Sequence, residues 1–183
     1  MSLRNALLGF LSCGPMTGYD LKKHMDNSTQ FFWHAELSQI YPTLKKMEAE
    51  GLVEAVVVPQ EGKPDKKVYT LTEAGRAELL SWLASPLDSW SSTKEPVLLQ
   101  LFFSGTLDKD TIRAQLQRQL RLHRAQLALY QQETAAYVEQ IIASTGLTRE
   151  GVMWELVRQF GEQYERQYIE WLEQAIEVVE EKL

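Results

Sequence analysis

Six side chains that can hydrogen-bond or carry charge fall in one short segment: Ser38, Gln39, Tyr41, Thr43, Lys45 and Lys46. Short polar groups near the start of a helix can reach base edges in the major groove of duplex DNA. Lysines further along the same helix can meet phosphates. Gln39 is a residue type that bonds an adenine edge. Pro42 lies among them, and a second set of cations follows at Lys63, Lys66 and Lys67. These would suit a neighbouring groove or the backbone. The plainer account of each group is a solvated surface and an ordinary hairpin. A module that binds only proteins stays open as the alternative, though it has no need of lysines gathered on one face.

These groups need elements to hold them. Leu3 to Leu11 reads as a short helix, stopped at Gly14-Pro15. Thr17 is a good N-cap for a second helix, with Asp20 placed to complete a capping box. That helix would put Tyr19, Leu21 and Met25 at or near a core. Ser38 can cap a third helix ending at Gly51, with Ile40, Leu44 and Met47 as its apolar stripe. Pro42 then falls near the first turn, where its missing N–H matters least; an earlier start would bend the helix there. Leu52 to Val58 reads as a strand, 59–65 as a turn-forming loop, and Lys67 to Leu71 as a second strand. Thr72 opens a fourth helix. Three helices, a hairpin and a helix are the order of a winged helix-turn-helix.

The remainder is built differently. Pro96 is the last proline, and the Ser/Pro-rich stretch before it is a natural junction. The expected organisation is a winged-helix domain over 1–84, a junction over 85–96 and a helical domain over 97–183. The fold class is mainly α, with one β-hairpin wing and a C-terminal long-helix dimerisation domain. Ile112, Leu116, Leu120, His123, Leu127, Tyr130, Thr134, Tyr137 and Ile141 repeat at steps of three and four, as a helical seam does. Met153, Val157, Phe160, Tyr164, Tyr168, Trp171 and Ala175 form a second seam, and Thr148 can cap its helix. Stripes of this length need each other and a partner chain. Leu116, Leu120, Leu127, Tyr130, Val157, Tyr168, Trp171 and Leu172 are the expected dimerisation residues. A two-fold pair would set two reading helices about 34 Å apart, one turn of DNA.

Composition narrows the function. The 183 residues are 44% hydrophobic and 24% charged, which is ordinary globular content. The net charge of −6 argues against indiscriminate coating of nucleic acid and puts the weight on local placement of lysines. The first residues lack the apolar core of a signal peptide, and no run is long enough for a membrane span. With a single cysteine, Cys13, the expected location is cytoplasmic, and Cys13 reads as a small buried side chain. The chain carries no nucleophile elbow, phosphate loop or dinucleotide fingerprint, and no paired His or Cys ligands. Neither an enzyme nor a metal or other cofactor is expected. His123, on an apolar seam, reads as a core histidine bonded to a neighbour. Five tryptophans are many for this length. Most would pack in the core, but an aromatic effector pocket formed by Trp33, Trp154, Phe160 and Tyr164 is the sharper reading.

Three segments resemble the PadR family of transcriptional regulators. They are Leu7-Leu-Gly-Phe-Leu-Ser-Cys-Gly-Pro-Met-Thr-Gly-Tyr-Asp-Leu21, the Tyr-Pro-x-Leu segment from Ser38 to Leu52, and Lys67-Val-Tyr-Thr-Leu-Thr-Glu-Ala-Gly75. The second half resembles, more loosely, the C-terminal domain of the longer, AphA-like members. The resemblance implies that Tyr41 touches the DNA backbone, that Gln39, Thr43 and Lys45 face the groove and that the wing lysines hold phosphates. It also implies an inverted-repeat operator, repression in most members, and control by small, often aromatic compounds. Val68-Tyr69 stands where the family often has two aromatic residues.

Overall fold

The computed structural model describes residues 3–29, 32–60, 62, 65–87 and 94–183. The chain divides into two compact units, Met1–Asp88 and Ser89–Leu183. No helix among the described residues is long and apolar enough to cross a membrane.

The first unit runs α1 (Leu3–Leu11), β1 (Met16–Thr17), α2 (Gly18–Ser28), α3 (Leu37–Ala49), β2 (Val53–Val58), β3 (Lys66–Leu71) and α4 (Glu73–Ala84). The sheet order is β1-β3-β2 and both pairings are antiparallel. The hairpin thus carries a third strand that the sequence reading missed, with Met16 opposite Tyr69 and Thr17 opposite Val68. Leu7, Leu8, Leu21, Met25, Ile40, Leu44 and Met47 are fully buried and form the core. Tyr19, expected near that core, is instead 64% exposed.

Two threonines set helix starts in this unit. Thr17 and Asp20 exchange backbone and side-chain bonds in a capping box, with the Asp20 N–H donating to Thr17 Oγ1 at 3.1 Å. The Gly75 N–H donates to Thr72 Oγ1 at 3.1 Å, and that hydroxyl donates to the Gly51 carbonyl at 2.7 Å. Gly75 lies so close to the hairpin that a Cβ there would stand 2.1 Å from the Leu52 carbonyl oxygen. Gly51, at φ 73°, turns the chain out of α3 in the left-handed region. Arg4 ties three helices together. Its Nε and Nη2 donate to the two carboxylate oxygens of Glu78 at 2.5 and 2.6 Å, and Nη1 reaches Glu50.

The second unit is helical. It runs α5 (Pro96–Phe102), α6 (Lys109–Leu129), a π-helical turn over Tyr130–Thr134, α7 (Ala135–Thr145) and α8 (Thr148–Lys182). Asp108, not a residue of the seam, caps α6 by accepting the Thr111 N–H at 2.8 Å. Thr148 is the first residue of α8 rather than its cap; Leu147 holds the cap position. Gly146, at φ 71°, closes α7.

α6 and α8 pack along Ile112, Leu116, Leu172 and Val179. Halfway along, Glu165 is buried and one carboxylate oxygen lies 2.5 Å from His123 Nδ1. The His123 ring stacks on Tyr168, with centroids 3.9 Å apart and planes at 13°. Where the π-turn begins, Arg158 reaches from α8 and donates to the Tyr130 carbonyl at 3.0 Å. The same guanidinium grips both oxygens of Glu155 at 2.7 Å and Glu162 at 3.0 Å. The buried ring of Tyr130 lies over Gly161, where a Cβ would come within 2.4 Å of it.

This network has a pH signature. Bonds from Gln131 first, and then from Arg166 and Arg158, pull the Glu162 carboxyl down to about 2. A carboxyl depressed in the folded state stabilises it above the unfolded value and loses that contribution as pH falls. Thermal stability of the second unit is therefore expected to fall as pH drops from about 4.5 toward 2. Glu162→Gln should start lower and fall less across that window. Melting curves of the two proteins that run parallel throughout would show that the network does not set the acid limb.

Candidate nucleic-acid interface

α3 is fixed from below and free above. Ile40, Leu44 and Met47 have no exposure at all, so the helix axis is seated on α1 and α2. The opposite side presents Ser38, Gln39, Tyr41, Pro42, Lys45 and Lys46, all exposed, with Thr43 half-buried. The helix starts earlier than the Ser38 cap predicted. Leu37 is its first residue and Glu36 its cap. The physical reason is Gln39, whose Oε1 accepts the Glu36 N–H at 3.0 Å and closes the first turn from inside. Pro42 consequently lies inside the helix rather than in its first turn. It withholds the N–H that the Ser38 carbonyl would otherwise receive.

Those bonds alter what each side chain can offer. With Gln39 Oε1 used by the cap, its amide NH2 remains to donate. Thr43 Oγ1 donates to the Gln39 carbonyl at 2.7 Å, leaving its lone pairs to accept. Among the described residues no ion pair involves Lys45, and Lys46 is 74% exposed with Glu50 at 3.9 Å. The ring of Tyr41 crosses to α2 and lies on Gly18.

In the wing, one of the three expected cations, Lys67, is already engaged. Lys67 Nζ is 2.7 Å from Glu48 of α3 and 5.4 Å above the ring of Tyr69. The bond to Glu48 raises the Lys67 pKa. Lys67 therefore fastens the wing to α3. Lys66 is exposed at the start of β3, and Lys63 lies outside the described residues. On β2, Val56, Val57 and Val58 are exposed at 63%, 57% and 42%, an apolar edge beside the cations.

The aromatic residues expected to line an effector pocket are divided between the two units, Trp33 in the first and Trp154, Phe160 and Tyr164 on α8 of the second. Trp33 belongs to the first unit and packs on its core; its buried Nε1–H donates to no partner among the described residues. Phe160 and Tyr164 share one face of α8, and Trp154 is about a third of a turn away from Phe160 around the helix. Phe160 is 71% exposed, and the Tyr164 hydroxyl donates to Glu95 at 3.0 Å. Between α6 and α8 the fold does bring together His123, Tyr164, Tyr168 and Trp171. Of the expected dimerisation residues, Leu116, Tyr130 and Leu172 are buried inside their own unit and are used there. Val157 is 46% exposed, and Leu120, Leu127, Tyr168 and Trp171 are half-buried.

The halves of the chain match two family models. Residues 7–81 match the transcriptional regulator PadR-like family, and residues 93–180 match the virulence activator alpha C-terminal domain. The negative transcriptional regulator PadR of Bacillus subtilis is 30% identical over 97% of both chains. The chain belongs to the PadR-like family of transcriptional regulators. The structure of B. subtilis PadR in complex with operator DNA superposes with a TM-score of 0.83, at 30% identity over 97% of this chain and 98% of that one. PadR with p-coumaric acid gives 0.76, at 29% identity over the same shares. The Vibrio cholerae virulence activator AphA gives 0.75, at 27% identity over 100% of both chains. The family and the winged-helix-plus-long-helix fold are thus those the motifs implied. The part the motifs did not disclose is the acidic framing of the site. Glu36, Glu48 and Glu50 are ordinary helix residues in sequence and become cap and ion-pair partners only after folding.

Proposed function

We propose that this PadR-like regulator is a DNA-binding repressor that grips an inverted-repeat operator as a symmetric dimer and releases it on binding a small aromatic compound. The observation that carries the reading is the exposed polar face of α3, held rigid by three fully buried residues on its other side. In this reading Gln39 and Ser38 meet base edges, Thr43 accepts from one, and Tyr41, Lys45 and Lys46 meet the backbone. Pro42 leaves the Ser38 carbonyl without its helical donor. Lys66 and Lys63 extend the contact from the wing, while Lys67 holds the wing in register.

Support for a dimer comes from apolar surface that the protomer leaves uncovered. On α8, Met153, Val157 and Phe160 are 54%, 46% and 71% exposed. On and beside α5, Leu99, Phe102 and Phe103 are 64%, 81% and 69% exposed. Apolar surface of this extent marks an interface. The effector reading rests on the bound p-coumaric acid of the B. subtilis relative and on the exposed aromatic side chains of α8, Phe160 and Tyr164.

The test is fluorescence anisotropy with the duplex upstream of the chain's own gene. Expected is saturation at one dimer per site, resistant to excess scrambled duplex and reversed by a hydroxycinnamic acid. Equal affinity for upstream and scrambled duplex, or a one-to-one monomer complex, would sink the reading; indifference to every phenolic acid would remove its effector half.

A further inference from the structure

We infer that Gly18 is a positioning residue for Tyr41: its missing side chain is the floor on which the phenol ring lies, and this seat holds the hydroxyl at the DNA-facing edge of α3. The inference rests on the DNA-binding reading above and adds to it a residue that touches no DNA.

Gly18 is the first residue of α2 and is buried. Its φ is not in the left-handed region, so the backbone does not call for glycine. Helix formation opposes it, since glycine is among the poorest residues in a helix. The demand is for space. A Cβ at Gly18 would stand 2.6, 2.9 and 3.2 Å from Cε1, Cζ and Cδ1 of Tyr41. Carbon atoms do not approach so closely, so either the helices or the ring must yield. The helices are held. Ile40 and Leu44 of α3, and Leu21 and Met25 of α2, are wholly buried in one core. The ring is 46% exposed and turns about two bonds. An added methyl therefore displaces the ring and spares the fold, unlike a Cβ at Gly75, which meets backbone.

The consequence is a separation of effects that few substitutions give. A rigid phenol has its hydroxyl fixed once its ring plane is fixed. Moving the ring off α2 withdraws the hydroxyl from the phosphate it meets and loses a hydrogen bond to a charged group. Meanwhile alanine in place of glycine favours α2.

The experiment measures Gly18→Ala, Tyr41→Ala and the double variant in the full chain. Expected for Gly18→Ala is an unchanged or higher urea midpoint and affinity for the upstream duplex weakened about tenfold. In the Tyr41→Ala background, adding Gly18→Ala should change affinity no further. In DNA-free protein, the Tyr41 ring resonance should move in Gly18→Ala. Wild-type affinity, an equal loss in both backgrounds, or an unmoved ring resonance each overturns the proposal. A wild-type chain that ignores its upstream duplex removes the DNA role, and the free-protein resonance tells that failure from a failure of the seat. Should Gly18→Ala not fold, the double variant must regain the fold; if it stays unfolded, the proposal is overturned.

Discussion

Replacing Lys45 and Lys46 together by alanine will flatten the salt dependence of operator binding by about 1.8 units of log K against log salt for each protomer engaged. Two phosphate contacts are removed per protomer, and each contributes about 0.9 units through counterion release. The structure singles out these two lysines from the larger set. Among the described residues nothing pairs with Lys45, and the nearest carboxylate to Lys46, Glu50, is 3.9 Å away and shared with Arg4. Lys67 is different, because Glu48 already holds it at 2.7 Å. Lys67→Ala should weaken binding by loosening the wing, with a smaller change of slope. Gln39→Ala gives the third pattern: relaxed discrimination at one base pair, worth about 1–3 kcal/mol, with the slope retained. Titrations between about 50 and 200 mM salt separate the three. An unchanged slope in the double lysine variant would mean that α3 is not the element that meets the backbone.

Gly75→Ala will destabilise the first unit by about 2–4 kcal/mol, at the severe end for a single methyl group. Alanine is the better helix former by about 1 kcal/mol, so propensity predicts the reverse. Contact decides it. The new Cβ would stand 2.1 Å from the Leu52 carbonyl oxygen, which also accepts the Thr72 N–H at 3.1 Å. Backbone cannot swing aside as a ring can. Relief requires parting α4 from the hairpin and breaking the bonds of Thr72 to Gly51, Leu52 and Gly75 together. Gly9 in α1 is the control. No atom stands within 4 Å of a Cβ built there, so Gly9→Ala should gain about 0.5–1 kcal/mol. Urea unfolding followed by tryptophan fluorescence reads both. A Gly75→Ala protein as stable as wild type would show that the close approach is not maintained in solution.

These glycines illustrate what was legible in the sequence and what was not. Thr17, Thr72, Gly51 and the valine-rich strand announce local structure, because caps, left-handed turns and strand preference act over a few neighbours. The helix order of the winged unit follows from them. β1 escaped because two residues are too few to show a period. Gly18 and Gly75 carried no local signal, since what excludes a side chain at each is a residue far along the chain: Tyr41 in one case, Leu52 in the other. The candidate site was legible as a set of polar residues but not as a set of available ones. Pairings such as Lys67 with Glu48 or Gln39 with Glu36 depend on where helices end, and Ser38 was the more persuasive cap on paper. In the second half the spacing found the helices but not their facing. Leu116 and Leu172 read as interface residues and are core, because a seam that binds its own neighbour looks the same as one that binds a partner.

The π-turn at Tyr130–Thr134 explains one further misreading and has a use of its own. A π-turn accommodates one more residue than the α-helical turn it replaces, which rotates everything beyond it by about 100°. The seam read through Thr134 to Tyr137 and Ile141 is therefore out of phase after the turn. The buried line runs through Thr134 and Val138 to Ile142, which is seated on Gly151 of α8. The helical arm thus keeps a spare residue in store. Deleting one residue here would turn the join into regular α-helix, with the side chains beyond it turned to new neighbours. Which side chains α7 presents to α8 is set by a count of residues, and it can be edited by one.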